Sequence, residues 1–165
     1  GGAIALQLAL ENPELVDKLV LVDSAALGAQ PSLSSFISML WMNLLPSNAA
    51  SRFQSRFLLN DTAKRAPAHR HYSVEVLKKQ GGKHAFSQGK GAAVAPMAEP
   101  ELQHIAHQTL IIWGEDDKFF SMSHGQAAAE MMPNASFQSI REAGHLPLMD
   151  QPEIFNQALL KFLTS

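Results

Sequence analysis

Two short apolar runs constrain this chain more than any other feature. Lys18-Leu-Val-Leu-Val-Asp23 and Gln108-Thr-Leu-Ile-Ile-Trp-Gly114 are rich in β-branched residues and bounded by polar ones. Runs of that length and type mark strands buried on both faces. A third, weaker run, Ala135–Arg141, has Phe137 and Ile140 as its apolar members. Helical patterns flank these runs. Gly1–Glu11 crowds Ile4, Leu6, Leu8 and Leu10 among alanines, which predicts a helix buried on most sides and ended by Asn12-Pro13. His124–Met132 is rich in Ala and Met and closes at Pro133-Asn134. Pro152–Leu163 carries Ile154, Phe155, Ala158, Leu159, Phe162 and Leu163 near helical spacing, with Pro in its first turn. Strands alternating with helices predict an α/β domain built on a parallel sheet.

Residues 28–100 break the alternation. They hold Pro, Ser, His and Lys in a loosely helical composition and no strand pattern. Ser34–Leu45, Ala49–Leu59 and Ser73–Lys79 read as short helices, with breaks at Gly81-Gly82 and Gly89-Lys-Gly91. The expected organisation is a core made of residues 1–27 and 101–165, interrupted by an all-helical insertion at 28–100.

Composition removes several function classes. A net charge of −2 with no basic block argues against nucleic acid as a partner. No apolar run approaches the roughly 18–20 residues of a spanning helix. The absence of cysteine excludes disulfides, thiolate metal sites and a cysteine nucleophile. No targeting signal is visible, and a cytoplasmic location is expected.

In open α/β sheets the chemistry gathers at the carboxyl ends of the strands. Two stretches stand there: "WGEDD", Trp113–Asp117, and "EAGHLPLMDQPEIF", Glu142–Phe155. An Asp on one loop and a His on the next suit a relay pair, in which the carboxylate orients the imidazole and the imidazole takes a proton from a nucleophile.

"IIWGEDDKFF" followed by "AGHLPLMDQPEIFNQALLKFL" resembles the C-terminal part of the α/β-hydrolase family. In that family an acid follows strand seven in a W-G-x-x-D pattern, and a histidine follows strand eight in a G-H-x-P pattern. On that spacing the resemblance implies Asp117 as the acid, not Asp116, and His145 as the base. "KLVLVDSAALG" resembles strand six and its exit into a helical cap, and "GGAIALQLAL" resembles the tail of the G-x-S-x-G nucleophile elbow with the helix after it. The implied fold is a partial α/β-hydrolase fold: parallel strands six to eight, flanking helices and a helical cap. The implied nucleophile is a serine two residues ahead of Gly1. The chain is therefore expected to be a C-terminal portion, inactive alone, with an open strand edge prone to self-association. The family often has Pro where Gln108 and Ser121 stand here; neither position touches the relay.

The expected function is that of a serine hydrolase, carboxylesterase-like or C–C bond hydrolase-like, acting on a small apolar ester or related carbonyl compound without metal or cofactor. A non-enzymatic binding protein of the same fold, or a dehalogenase or epoxide hydrolase type with an Asp nucleophile, are the alternatives. Asp23, at the end of the first strand, is a rival acid. Ala85-Phe-Ser87-Gln-Gly89 offers a weak elbow with no strand before it. His69-x-His71 and His104-x-x-His107 have ligand-like spacing but no carboxylates clustered beside them. The apolar stretch "FISMLWMNLLP" nominates Phe36, Met39, Leu40, Trp41 and Met42 as pocket residues, with Leu146 beside the histidine.

Overall fold

The computed structural model describes residues 1–61, 67–79 and 96–165. Three parallel strands, β1 (Lys18–Val22), β2 (Gln108–Gly114) and β3 (Ala135–Ile140), form one sheet in the order β1-β2-β3. Lys18 pairs with Gln108, and Thr109 with Ala135. The β-branched runs thus become strands where expected, and β2, flanked on both sides, is buried along all but its first residue.

Alternate side chains of the sheet feed two apolar layers, as the pleat requires. Leu19, Leu21, Ile111 and Trp113 pack with Leu6 and Ala9 of α1 (Gly2–Glu11), Leu102 of α5 (Glu99–His104) and Ala128 of α6 (Met122–Met131). Leu110, Ile112 and Ile140 face the other way, onto Phe155 and Ala158 of α8 (Pro152–Leu163). Helices on both faces of a parallel sheet follow from the alternating sequence pattern.

The first helix departs from expectation. It buries one stripe, Leu6 and Ala9, while Ile4 and Leu8 are 75% and 41% exposed. At 100° per residue, positions 4 and 8 form a second apolar stripe opposite the first, and only the first reaches the sheet. β1 is likewise well buried at Leu19 and Leu21 and half-buried at its other positions.

Between β1 and β2 lie the helices α2 (Leu33–Leu44), α3 (Asn48–Leu58) and α4 (Pro67–Lys78), besides α5. Ser32 and Ser47 cap α2 and α3, accepting the amides of Ser35 and Ala50, so each helix begins one residue earlier than expected. Ser121 caps α6 in the same way and starts it at Met122. These helices share a small core of Met42, Ala50 and Val74. Ser35, Ser38, Ser51 and Ser55 are also buried there; Ser38 and Ser55 donate to carbonyls of their own helix at 2.6 and 2.7 Å. Small side chains let α2 and α3 approach closely, a packing that an apolar count does not reveal. The glycine breaks at 81–82 and 89–91 lie outside the described residues.

Candidate active site

Because the strands are parallel, β1, β2 and β3 deliver their following loops to one edge of the sheet. Asp117, two residues into the loop after Glu115, is fixed by its own turn: Oδ1 accepts the amides of Phe119 at 2.7 Å and Phe120 at 3.2 Å. Its Oδ2 accepts from His145 Nδ1 at 3.0 Å, and the Asp117 side chain is 1% exposed against 20% for His145. A carboxylate holding Nδ1–H leaves Nε2 as the basic nitrogen. Asp116 is exposed, and only its amide is engaged, donating to the carbonyl of Ala143.

The His145 ring rests against Phe119, centroids 5.1 Å apart, and meets Phe120 edge-on at 5.2 Å. Ring contacts continue from Phe119 to Phe57, Phe53 and Trp41, running from the site into α3 and α2. The loop carrying His145 is held twice. The Leu146 amide donates to the Leu58 carbonyl at 3.0 Å, and the Gly144 amide donates to Asp150 Oδ2 at 2.8 Å. Asp150 lies in the short helix α7 (Pro147–Asp150) and is fully buried. A side chain at Gly114 would place its Cβ 2.1 Å from the Gly144 carbonyl, so the two loops meet only because Gly114 has none.

Asp23 closes the site from β1. It is 3% exposed, takes φ +42°, and its Oδ1 accepts the Gly114 amide at 3.0 Å. Side-chain atoms of Asp23, Asp117 and His145 lie within 4.8 Å of one another. Burial away from water pushes the Asp23 pKa up to about 9; the Gly114 hydrogen bond opposes this, and the charge of Asp117 adds to it. Among the described residues this is the cluster with three possible metal-binding side chains. The direct Nδ1–Oδ2 bond suits Asp117 and His145 to sharing a proton.

A cavity of about 350 Å³ opens beside His145, walled by Gly1, Gly2, Ala3, Asp23, Ser24, Met39, Gln54, Leu58 and the two phenylalanines among others. Of the opening glycines, Gly2 is the one packing demands. A Cβ there would fall 2.1 Å from Ser24 Oγ, whereas one at Gly1 meets nothing within 4 Å.

The structure therefore brings Asp117 and His145 together, and draws Asp23 to the same place. Of the nominated pocket residues, Met39 lines the cavity. Met42, one turn on, is buried instead in the small core with Ala50 and Val74. Phe36, Leu40 and Trp41 are not among the cavity's lining residues and are at least 39% exposed, with Trp41 packed on Phe53 of α3. Leu146 contributes its backbone, through Leu58. His104 and His107 each contact a backbone carbonyl, Pro100 and Pro13 respectively. The His69 side chain and Ser87 lie outside the described residues. Sequence reasoning missed Phe119, Phe120, Gln54, Leu58 and Asp150; the two aromatics directly after the acid were the available signal. Among the described residues no helix is long and apolar enough to cross a membrane.

A parallel α/β sheet carrying an Asp–His pair on the loops after adjacent strands defines an α/β protein equipped for proton relay. The sequence pattern of the alpha/beta hydrolase family matches residues 1–158, and the chain belongs to that family. A 2-hydroxy-6-oxononadienedioate/2-hydroxy-6-oxononatrienedioate hydrolase of a Pseudomonas species is 27% identical to it, over 99% of this chain and 60% of the relative. The chain thus spans about three fifths of the length of the curated relatives it matches. Among solved structures, the meta-cleavage product hydrolase CumD of Pseudomonas fluorescens IP01 superposes with a TM-score of 0.83 at 20% identity, covering 99% of this chain and 61% of CumD. Carboxylesterase CesB of Bacillus subtilis gives 0.79 at 19% identity, over 98% of this chain and 56% of CesB. These last two likenesses concern the fold.

Proposed function

We propose that the full-length protein is a serine hydrolase of small apolar esters or related carbonyl compounds, including carbon–carbon bonds beside a ketone. The observation that carries this reading is the 3.0 Å contact between His145 Nδ1 and an Asp117 carboxylate already pinned by two backbone amides. His145 Nε2 takes the proton of the nucleophile as it attacks the carbonyl carbon and returns it to the leaving group; Asp117 holds the tautomer and stabilises the imidazolium. The nucleophile in this reading is a serine that the full-length protein carries just ahead of Gly1. Gly1, Gly2 and Ala3 on the cavity wall beside His145 support that placement, and so does the elbow-like sequence of α1. In this reading the insertion at 28–100 is the cap to the core of 1–27 and 101–165, and among its described residues Met39, Gln54 and Leu58 line the cavity. Relatives named as hydrolases of 2-hydroxy-6-oxononadienedioate and of 2-hydroxy-6-oxo-6-phenylhexa-2,4-dienoate, both oxo compounds, support the carbonyl part of that range.

The test uses the full-length protein, a 4-nitrophenyl ester and a fluorophosphonate probe. Turnover and labelling that both collapse in His145→Ala, with the probe recovered on a serine ahead of Gly1, are expected. Turnover indifferent to His145→Ala, or a probe recovered elsewhere, overturns the reading.

A further inference from the structure

We propose that Asp23 is a neutral, hydrogen-donating positioning residue for the Asp117–His145 pair. The inference rests on the relay reading above and adds a third group to it.

Asp23 Oδ1 has a donor, the Gly114 amide, but Oδ2 is buried and has none. A buried acceptor with no partner is rare in folded proteins and needs a cause. Ionised, Asp23 would hold a negative charge shielded from water and close to a second carboxylate, with the Gly114 amide on one oxygen and no donor on the other. Protonated, Oδ2 becomes a donor, and the neighbouring carboxyl is that of Asp117: one side-chain oxygen of each lies within 4.8 Å of the other and of a His145 ring nitrogen. One proton therefore answers both the orphaned oxygen and the crowding of two carboxyls. The raised pKa, to about 9 with Asp117 among its causes, agrees with this geometry. A carboxylic acid kept neutral by an apolar site so that it can donate is an established device in proteins.

The backbone supports the assignment independently. Asp23 sits at φ +42°, where Asp and Asn are enriched among non-glycine residues. The Asp23 amide donates to the Ile112 carbonyl at 3.1 Å and its side chain accepts from Gly114, so both ends of the residue are tied to β2. Asp23 thereby links the strand that ends at Val22 to the loop that carries Asp117. With Phe119 and Phe120 amides on Oδ1 and His145 on Oδ2, a donor from Asp23 completes the fixation of the Asp117 carboxylate.

The decisive measurement is infrared spectroscopy of full-length protein with carbon-13-labelled aspartate near neutral pH. A protonated, buried carboxyl band present in the parent and absent from Asp23→Asn is expected. No such band in the parent, or a band that survives in Asp23→Asn, overturns the proposal. Asp23→Asn keeps a neutral donor and suits the positive φ, so it folds where Asp23→Ala is strained. In ester turnover, Asp23→Asn is expected to lose less than about tenfold in kcat and Asp117→Asn about a thousandfold or more. Equal losses would make Asp23 the ionised partner of His145 and overturn the proposal. A protein inactive in every form would sink the hydrolase reading while leaving the infrared result to decide Asp23.

Discussion

Asp150 Oδ2 accepts the amide of Gly144 at 2.8 Å, one residue before His145. The same oxygen accepts the amide of Asn60 at 2.8 Å, and Oδ1 that of Asp61 at 3.2 Å. One buried carboxylate thus ties the histidine loop to the backbone just past α3. Leu146 to Leu58 is a second tie between the same two segments. The histidine loop is held by the end of α3 and the residues just past it, as well as by the Asp117 loop.

Removing that carboxylate leaves the buried Gly144 amide without an acceptor, a loss of about 1–3 kcal/mol, while the amides of exposed Asn60 and Asp61 can turn to water at smaller cost. Asp150→Ala is expected to destabilise the protein by about 1–3 kcal/mol, with Asp150→Asn intermediate because one oxygen remains. Urea unfolding measures the difference. Equal stability of Asp150→Ala and the parent would show that the amides find other partners.

Asp117→Asn keeps the size of the side chain but offers His145 an amide in place of a carboxylate. The imidazolium formed during proton transfer loses its counter-charge, and the tautomer is no longer dictated. A fall of about 10³–10⁴ in kcat with little change in KM is expected from steady-state ester hydrolysis. A fall confined to KM would assign Asp117 to substrate binding.

Gly114 stands where the Asp117 and His145 loops meet backbone to backbone. Gly114→Ala would set its Cβ 2.1 Å from the Gly144 carbonyl and 2.5 Å from that of Ala143, both backbone atoms with no room to yield. Overpacking of this kind costs about 1–3 kcal/mol and moves the histidine loop. A thermal melt of Gly114→Ala is expected several degrees below that of the parent, and an unchanged melt would show that the histidine loop yields without cost.

The strands were legible because a β-branched run is a local signal. Asp117 and His145 came from the resemblance to the family's W-G-x-x-D and G-H-x-P patterns, and the structure brings the two side chains to 3.0 Å. What escaped depends on tertiary context. The four apolar residues of α1 cannot say which stripe meets the sheet, so Ile4 and Leu8 were expected inside. Met39 and Met42 read alike in sequence, yet one lines the cavity and the other fills the core between α2 and α4. Asp150 carries no pattern; its importance lies in which amides converge on it. Asp23 reads as an ionised strand-end residue until its burial and the position of Asp117 are known.

That burial makes a pH prediction with a definite sign. The Asp23 carboxyl ionises near 3.8 in an unfolded chain and near 9 in the folded one. Between those values the unfolded state has released a proton that the folded state keeps. The contribution of Asp23 to stability is therefore fully present below pH 3.8 and is lost progressively as pH rises toward 9. Asp23→Asn removes this titration, while Asp117 and His145, the titratable groups facing it, remain in both proteins. The stability of Asp23→Asn relative to the parent is expected to climb steadily from acid to alkaline pH, as followed by urea unfolding at several pH values. The parent then holds an acid at a cost in stability that the amide avoids, as functional sites often do. A difference between the two proteins that stays constant across this range would mean that Asp23 is ionised in the folded state and donates nothing to Asp117.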